Sequence, residues 1–258
     1  TPDNQFIQYT LSGSYTVATW RTVVSGNVAI GKGEQDDAYL PYTINSAIAT
    51  EPLPRSNLDA ELDTTNVLLR VTSSPWRRVR LKGEYRYDDR DNDSPVDTYD
   101  WVRVDSAPGD STENRIYSYT RDTVDLEASA RLDKNSRFYV GYRYDGWDRD
   151  DQERDETDTD RYWARFRFDS GGVVDFRATV GSESRGGSNY KALVNDDFAP
   201  QNPLMRKYNM ASRDRTDFEA RIDVAPADDL GLGFAATWAD EDYSNPSNVG
   251  LGKAEYLN

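Results

Sequence analysis

Apolar residues recur at every second position along most of the chain. That period marks β-strands with one apolar face. The first run carries Ile7, Tyr9, Leu11, Tyr15 and Val17 on one face. The second carries Val24, Gly26, Val28 and Ile30. A third sets Val67, Leu69 and Val71 against Asn66, Leu68 and Arg70. A fourth, in "RRVRLKGEYRY", sets Val79, Leu81, Gly83, Tyr85 and Tyr87 against Arg78, Arg80, Lys82, Glu84 and Arg86. Six more runs follow: Val124–Leu132, Phe138–Tyr144, Tyr162–Phe168, Val174–Val180, Phe218–Val224 and Leu230–Trp238. No stretch of helical period competes with them. The pattern predicts about ten strands.

The connections sort by length. Tight turns are predicted near Ala18–Arg21, at "SSPW" (Ser73–Trp76), "DKNS" (Asp133–Ser136), "DSGG" (Asp169–Gly172) and "APADD" (Ala225–Asp229). Long polar loops are predicted near 32–57, 89–114, 148–160, 184–215 and 240–258. A soluble β-sandwich also alternates, but its strands average about five or six residues and its long loops are not confined to one end. Strands of about 9–11 residues with short turns below and long loops above describe an all-β fold, an antiparallel transmembrane β-barrel of the outer membrane. The apolar face would then meet outer-membrane lipid and the charged face would line the lumen. Trp20 and Trp76 fall at tight turns, while Tyr85, Tyr87, Tyr142, Tyr144 and Trp238 fall near loop ends on the apolar parity. They predict two aromatic girdles at the headgroup levels.

Composition narrows function. The 258 residues carry a net charge of −15, with a pI near 4.5. Such a polyanion repels nucleic acid, so none is expected as a partner. Mean hydropathy is −0.86, and no apolar run is long enough for a transmembrane helix; strand alternation averages hydropathy away, so this leaves a barrel open. There is no cysteine and no histidine. Disulfides, thiolate metal sites and covalent haem attachment are therefore excluded within this chain. The commonest general base is missing too, which excludes Ser–His hydrolysis. The chain is expected not to be an enzyme. Ten strands alone would close into a barrel nearly filled by its own side chains. The start "TPDNQF" reads as a processed or internal end, and the final "AEYLN" lacks the aromatic terminus of many bacterial barrels. The residues are thus expected to be a contiguous part of a larger barrel.

The acidic run "DRDNDSPVDTYD" places Asp89, Asp91, Asp93 and Asp100 at positions 1, 3, 5 and 12 of a calcium-loop spacing. Ser94 stands where such loops need glycine, and Pro95 follows. Calcium is weighed here against a solvated acidic loop. A similar choice applies to Asp148–Asp160.

Three stretches are more specific: "NLDAELDTTNVLLRVTSSPWRRVRLKGEYRYDDRDNDSP" (Asn57–Pro95), "NPLMRKYNMASRDR" (Asn202–Arg215) and "PDNQFIQYTLSGSY" (Pro2–Tyr15). In these the chain resembles the MtrB/PioB family of decahaem-associated outer-membrane porins. The resemblance implies a barrel of more than twenty strands. It implies a periplasmic decahaem c-type cytochrome as partner inside the barrel, and an extracellular multihaem cytochrome docked outside. The haems belong to those partners, so no cofactor is expected on this chain. The expected function is a non-enzymatic sheath for extracellular electron transfer. Lumen-facing Arg80, Lys82, Arg86, Arg121, Arg143, Arg161, Arg165 and Arg167 are candidate contacts to propionates or acidic side chains of that partner. The plainer reading pairs these cations with the wall's own carboxylates. An open diffusion porin and a surface adhesion domain remain as alternatives.

Overall fold

A computed structural model of the chain describes residues 4–100, 102, 111–191, 202, 204–227, 229–243 and 251–257. Thirteen strands form among them: β1 (Asn4–Val17), β2 (Thr22–Gln35), β3 (Ala60–Trp76), β4 (Val79–Asn92), β5 (Thr98–Asp100), β6 (Ser111–Glu113), β7 (Tyr119–Arg131), β8 (Ser136–Arg149), β9 (Glu156–Asp169), β10 (Val174–Gly187), β11 (Arg213–Ala227), β12 (Leu230–Asp242) and β13 (Lys253–Leu257). Eleven make one sheet in the order β1-β2-β3-β4-β7-β8-β9-β10-β11-β12-β13, while β5 and β6 pair separately. Every pairing is antiparallel. The described sheet is open, with β1 and β13 at its edges.

The registers align the apolar positions of neighbouring strands. One row runs Leu81, Ala128, Val140, Ala164, Val180, Phe218, Trp238 and Leu257 across eight strands. A one-residue slip of β4 or β11 in either direction would place Arg80, Lys82, Asp217 or Glu219 in this row, so the register there is strongly specified. No second layer covers the row. Leu11 is 79% exposed and Phe234 65%. The buried apolar residues among those described are Ala29, Ile48, Met210, Ala211, Ala239 and Tyr243. Ala29 and Ala239 sit on the opposite face, and the other four lie in or beside the long connections. An uncovered apolar surface of this extent has no place in water. Membrane hydrocarbon is the solvent that it fits.

The eleven strands of the sheet agree with the expected count of about ten, with β13 following β12, and the second long connection carries the β5–β6 hairpin. The structure corrects the sequence reading in two places. "SSPW" is not a turn. β3 runs through it with a register shift between Ser73 and Trp76, and the chain reverses at Arg77–Arg78. A bulge is where a strand tolerates proline. The bounds of the long connections also differ from those predicted: they are 36–59, 93–118, 150–155, 188–212 and 243–252, the second of unchanged length and the other four shorter. Residues 101, 103–110, 192–201, 203, 244–250 and 258 of the predicted loops lie outside the described residues. The predicted sorting by length holds, with 18–21, 77–78, 132–135, 170–173 and 228–229 all short and at one end.

Candidate functional site: the charged inner face

Positions opposite the apolar row form a wall of interleaved charge. Arg161 on β9 reaches across β10 to Asp217 on β11, with Nη1 donating to Oδ1 at 2.7 Å and Nη2 to Oδ2 at 2.9 Å. The guanidinium lies over Gly181, where any side chain would collide with it. Asp217 is 8% exposed. Glu183 stands 3.7 Å from Arg161 and also pairs with Arg213. Arg213 and Arg215 both reach Glu241 on β12, at 3.1 and 2.8 Å. Four strands are thereby cross-linked by charge.

The predicted contact residues sit on this face, and most are already engaged. Arg121 grips Asp145 with two bonds of 2.8 Å and lies 4.5 Å from the Trp147 ring centre. Lys82 pairs with Glu127 at 3.0 Å, Arg86 with Glu84 at 2.9 Å and Arg167 with Asp175 at 2.8 Å. Arg143 approaches Asp125 at 3.9 Å. Arg165 donates to Thr179 at 3.2 Å and lies 4.8 Å from the Trp163 ring centre. The Arg80 side chain makes no hydrogen bond or ion pair among the described residues. A charge-paired wall is polar without being strongly cationic or anionic over most of its area, a surface that water or another protein can lie against.

Sequence spacing could not show two further features. Trp163 is folded over Gly141 on the neighbouring strand, filling the gap a missing side chain leaves. Arg131, Arg137, Arg167, Arg177 and Arg221 stand directly opposite one another on β7 to β11, at the short-turn end.

At the other end the long connections dock on one another. Glu153, 1% exposed, accepts from Lys207 Nζ at 2.7 Å. Arg154 donates to the carbonyls of Ser188 and Met210, both at 2.7 Å, and burial pushes its guanidinium below the usual arginine range. Arg185 donates to Ala211 O at 2.8 Å. In the first two connections, Arg55 meets Asp97 at 2.6 Å, and the Tyr39 and Tyr99 hydroxyls lie 2.9 Å apart. Burial, then the Tyr39 hydrogen bond, pushes Tyr99 up to about 12.

The calcium spacing does not become a calcium loop. Asp89 and Asp91 lie on β4, which stays paired with β3 through Asn92. The Asp93 amide donates to Glu61 O at 3.1 Å. Asp100 lies in β5 and accepts from the Glu51 amide at 2.9 Å. No group of three or more potential metal ligands gathers among the described residues.

The whole chain, residues 1–258, matches the family described as "Putative outer membrane beta-barrel porin, MtrB/PioB". It is 32% identical over 244 residues to "Outer membrane protein MtrB" of Shewanella baltica (strain OS185), covering 95% of this chain and 34% of that protein. The chain thus spans about a third of that relative's length. Solved structures similar to it include OmpTdeltaL8, a loop-deletion mutant of the Vibrio cholerae outer membrane protein OmpT (TM-score 0.43, 9% identity, 97% of this chain and 88% of that one). The β domain of the Bordetella autotransporter Brka is another (TM-score 0.38, 12% identity, 99% and 85%).

Proposed function

Because the chain belongs to the MtrB/PioB family of outer-membrane β-barrel porins, we propose that its charged face is the inner wall of a sheath enclosing a multihaem c-type cytochrome. The chain crosses the outer membrane many times as strands, with apolar positions toward lipid. The sheath has no enzymatic role. Electrons would cross on the partner's haems, between a periplasmic decahaem cytochrome in the lumen and a multihaem cytochrome outside. With no histidine or cysteine, this chain supplies neither axial imidazole nor thioether attachment to those haems. Its part is to keep lipid from the haem chain, to present polar groups to the enclosed protein, and to hold that protein in register.

One observation favours a sheath over an open pore. Eleven strands arise from a length equal to about a third of the Shewanella relative. A barrel several times this size exceeds the 16–18 strands of diffusion porins, and very wide barrels hold a plug. Purification of the full-length barrel in mild detergent tests the reading. A stoichiometric red partner with a c-type haem spectrum supports it. A colourless barrel that conducts ions freely in a planar bilayer refutes it in favour of an open porin.

A further inference from the structure

Arg80, Arg131, Arg137 and Arg177, which have no ion pair among the described residues, lie toward the short-turn end of the inner wall. There Arg131, Arg137, Arg167, Arg177 and Arg221 form an unbroken cross-strand row. Arg78 extends it, since its carbonyl accepts from the Arg131 amide at 2.8 Å. Like charges directly opposite destabilise a sheet. Arg167 and Arg221 are offset by Asp175 and Asp223, at 2.8 and 2.7 Å. Arg131, Arg137 and Arg177 have no ion pair among the described residues. A concavity of about 480 Å³ opens beside them, and its cationic lining is Arg21, Arg77, Arg78, Arg80, Arg131 and Arg137. No aspartate or glutamate lines it, in a chain whose net charge is −15.

Arg78, Arg80, Arg131, Arg137 and Arg177 share the parity opposite to Val79, Leu81, Ala130, Phe138 and Ala178, so they point away from lipid. Short turns lie on the periplasmic side of outer-membrane barrels. We propose that this row is a docking collar at the periplasmic mouth, and that its occupant is a carboxylate-rich face of the enclosed cytochrome. The occupant rests on the sheath reading; the cation row, in which Arg131, Arg137 and Arg177 have no ion pair among the described residues, does not. Arginine forks suit carboxylates by bidentate geometry, and the arrangement is costly to the empty barrel unless anions arrive from a partner.

The test compares the full-length barrel with two variants, Arg80→Gln/Arg131→Gln/Arg137→Gln and Arg131→Glu/Arg137→Glu, with Arg70→Gln, at a cation paired with Glu84, as a mid-wall control. Three readouts are taken: haem retained on a barrel-affinity column through a salt series, phospholipid phosphorus, and denaturant unfolding of the partner-free barrel. The collar predicts haem loss at least about tenfold faster in both variants than in the control. It also predicts that the neutral variant, empty, unfolds at higher denaturant than the parent, because repulsion is relieved. The neutral variant keeps the test alive if the charge-reversed one fails to assemble. Equal haem retention at all salt concentrations overturns the collar while leaving the sheath standing. So does a loss of phospholipid with haem unchanged, which would make a lipid headgroup the occupant. So does a destabilised empty neutral variant, which would make the row structural. A parent barrel that brings no haem protein at all overturns the sheath, and the collar's occupant with it.

Discussion

Gly181 lies beneath the Arg161–Asp217 pair, and replacing it with alanine tests whether that pair holds the wall together. An added Cβ would collide with Arg161 Nη2 and come within 3.1 Å of Asp217 Oδ1. The guanidinium would have to lift off β10, breaking both bonds. Removing one partner of a buried pair costs about 3–5 kcal/mol. Here Arg215 remains 3.5 Å from Asp217, and Glu183 remains 3.7 Å from Arg161. The loss is therefore set at about 1–3 kcal/mol. Glycine-to-alanine exchange in a strand returns about 0.5–1 kcal/mol by restricting the unfolded chain. The net expectation for Gly181→Ala is a destabilisation of about 0–2.5 kcal/mol. In an Arg161→Ala background the collision is gone, and the same substitution should be neutral or stabilising by about 0.5–1 kcal/mol. Denaturant unfolding of the full-length barrel in detergent, followed by tryptophan emission, measures both. Costs equal within about 0.5 kcal/mol in the two backgrounds would refute the claim that Gly181 is there for the pair.

Other substitutions probe the two rims. Lys207→Ala leaves the carboxylate of Glu153 with one cation fewer in a buried place. Local opening of 204–212 should become easier by about 1–3 kcal/mol, read as faster thermolysin cleavage beside Met210, with global unfolding unchanged. Asp133 in the β7–β8 turn accepts from the amides of Asn135 and Ser136 at 2.8 and 2.9 Å, and the Asn135 amide first, then Ser136, holds its carboxyl below the ordinary 3.8. A lowered folded value adds stability above the unfolded value and loses it as pH falls through the folded one. The stability difference between parent and Asp133→Ala should therefore be constant from neutrality to about pH 5 and shrink as the pH falls through and below the ordinary carboxyl value, in paired acid-unfolding curves. Tyr142 and Tyr144 donate to Asp160 and Asp158 at 2.5 and 2.6 Å. Replacing either with phenylalanine should cost about 0.5–1.5 kcal/mol in the unfolding assay, and no change would show those hydroxyls to be equally served by water.

Much of the fold was legible because alternation reports faces. Val67, Leu69 and Val71 announce both a strand and the side that meets lipid. Strand ends were not legible, for a physical reason. "DDRDN" (Asp88–Asn92) has no apolar alternation, yet it continues β4 in register with β3. Apolar periodicity measures the thickness of the membrane, whereas ladder pairing continues into water. Pro75 misled because it marks a bulge as readily as a turn. Trp20 and Arg21 both take positive φ, 60° and 49°, where glycine or asparagine is the usual signal, so only the change of parity located that turn. The arginine row was invisible for another reason. Arg131, Arg137, Arg177 and Arg221 are scattered along the sequence, and hydrogen-bond register alone makes them neighbours.

The strands that outlast the apolar band have a consequence for geometry outside the cell. β4 has 14 residues, which at about 3.3 Å per residue and a tilt of about 40° rise roughly 35 Å against an apolar band of about 25 Å. The wall therefore has freeboard: about 10 Å of paired strand stands above the waterline of the lipid. Like the coaming of a hatch, it lifts the outer mouth and its docked loops clear of the surrounding headgroups. Whatever approaches from outside meets protein before lipid.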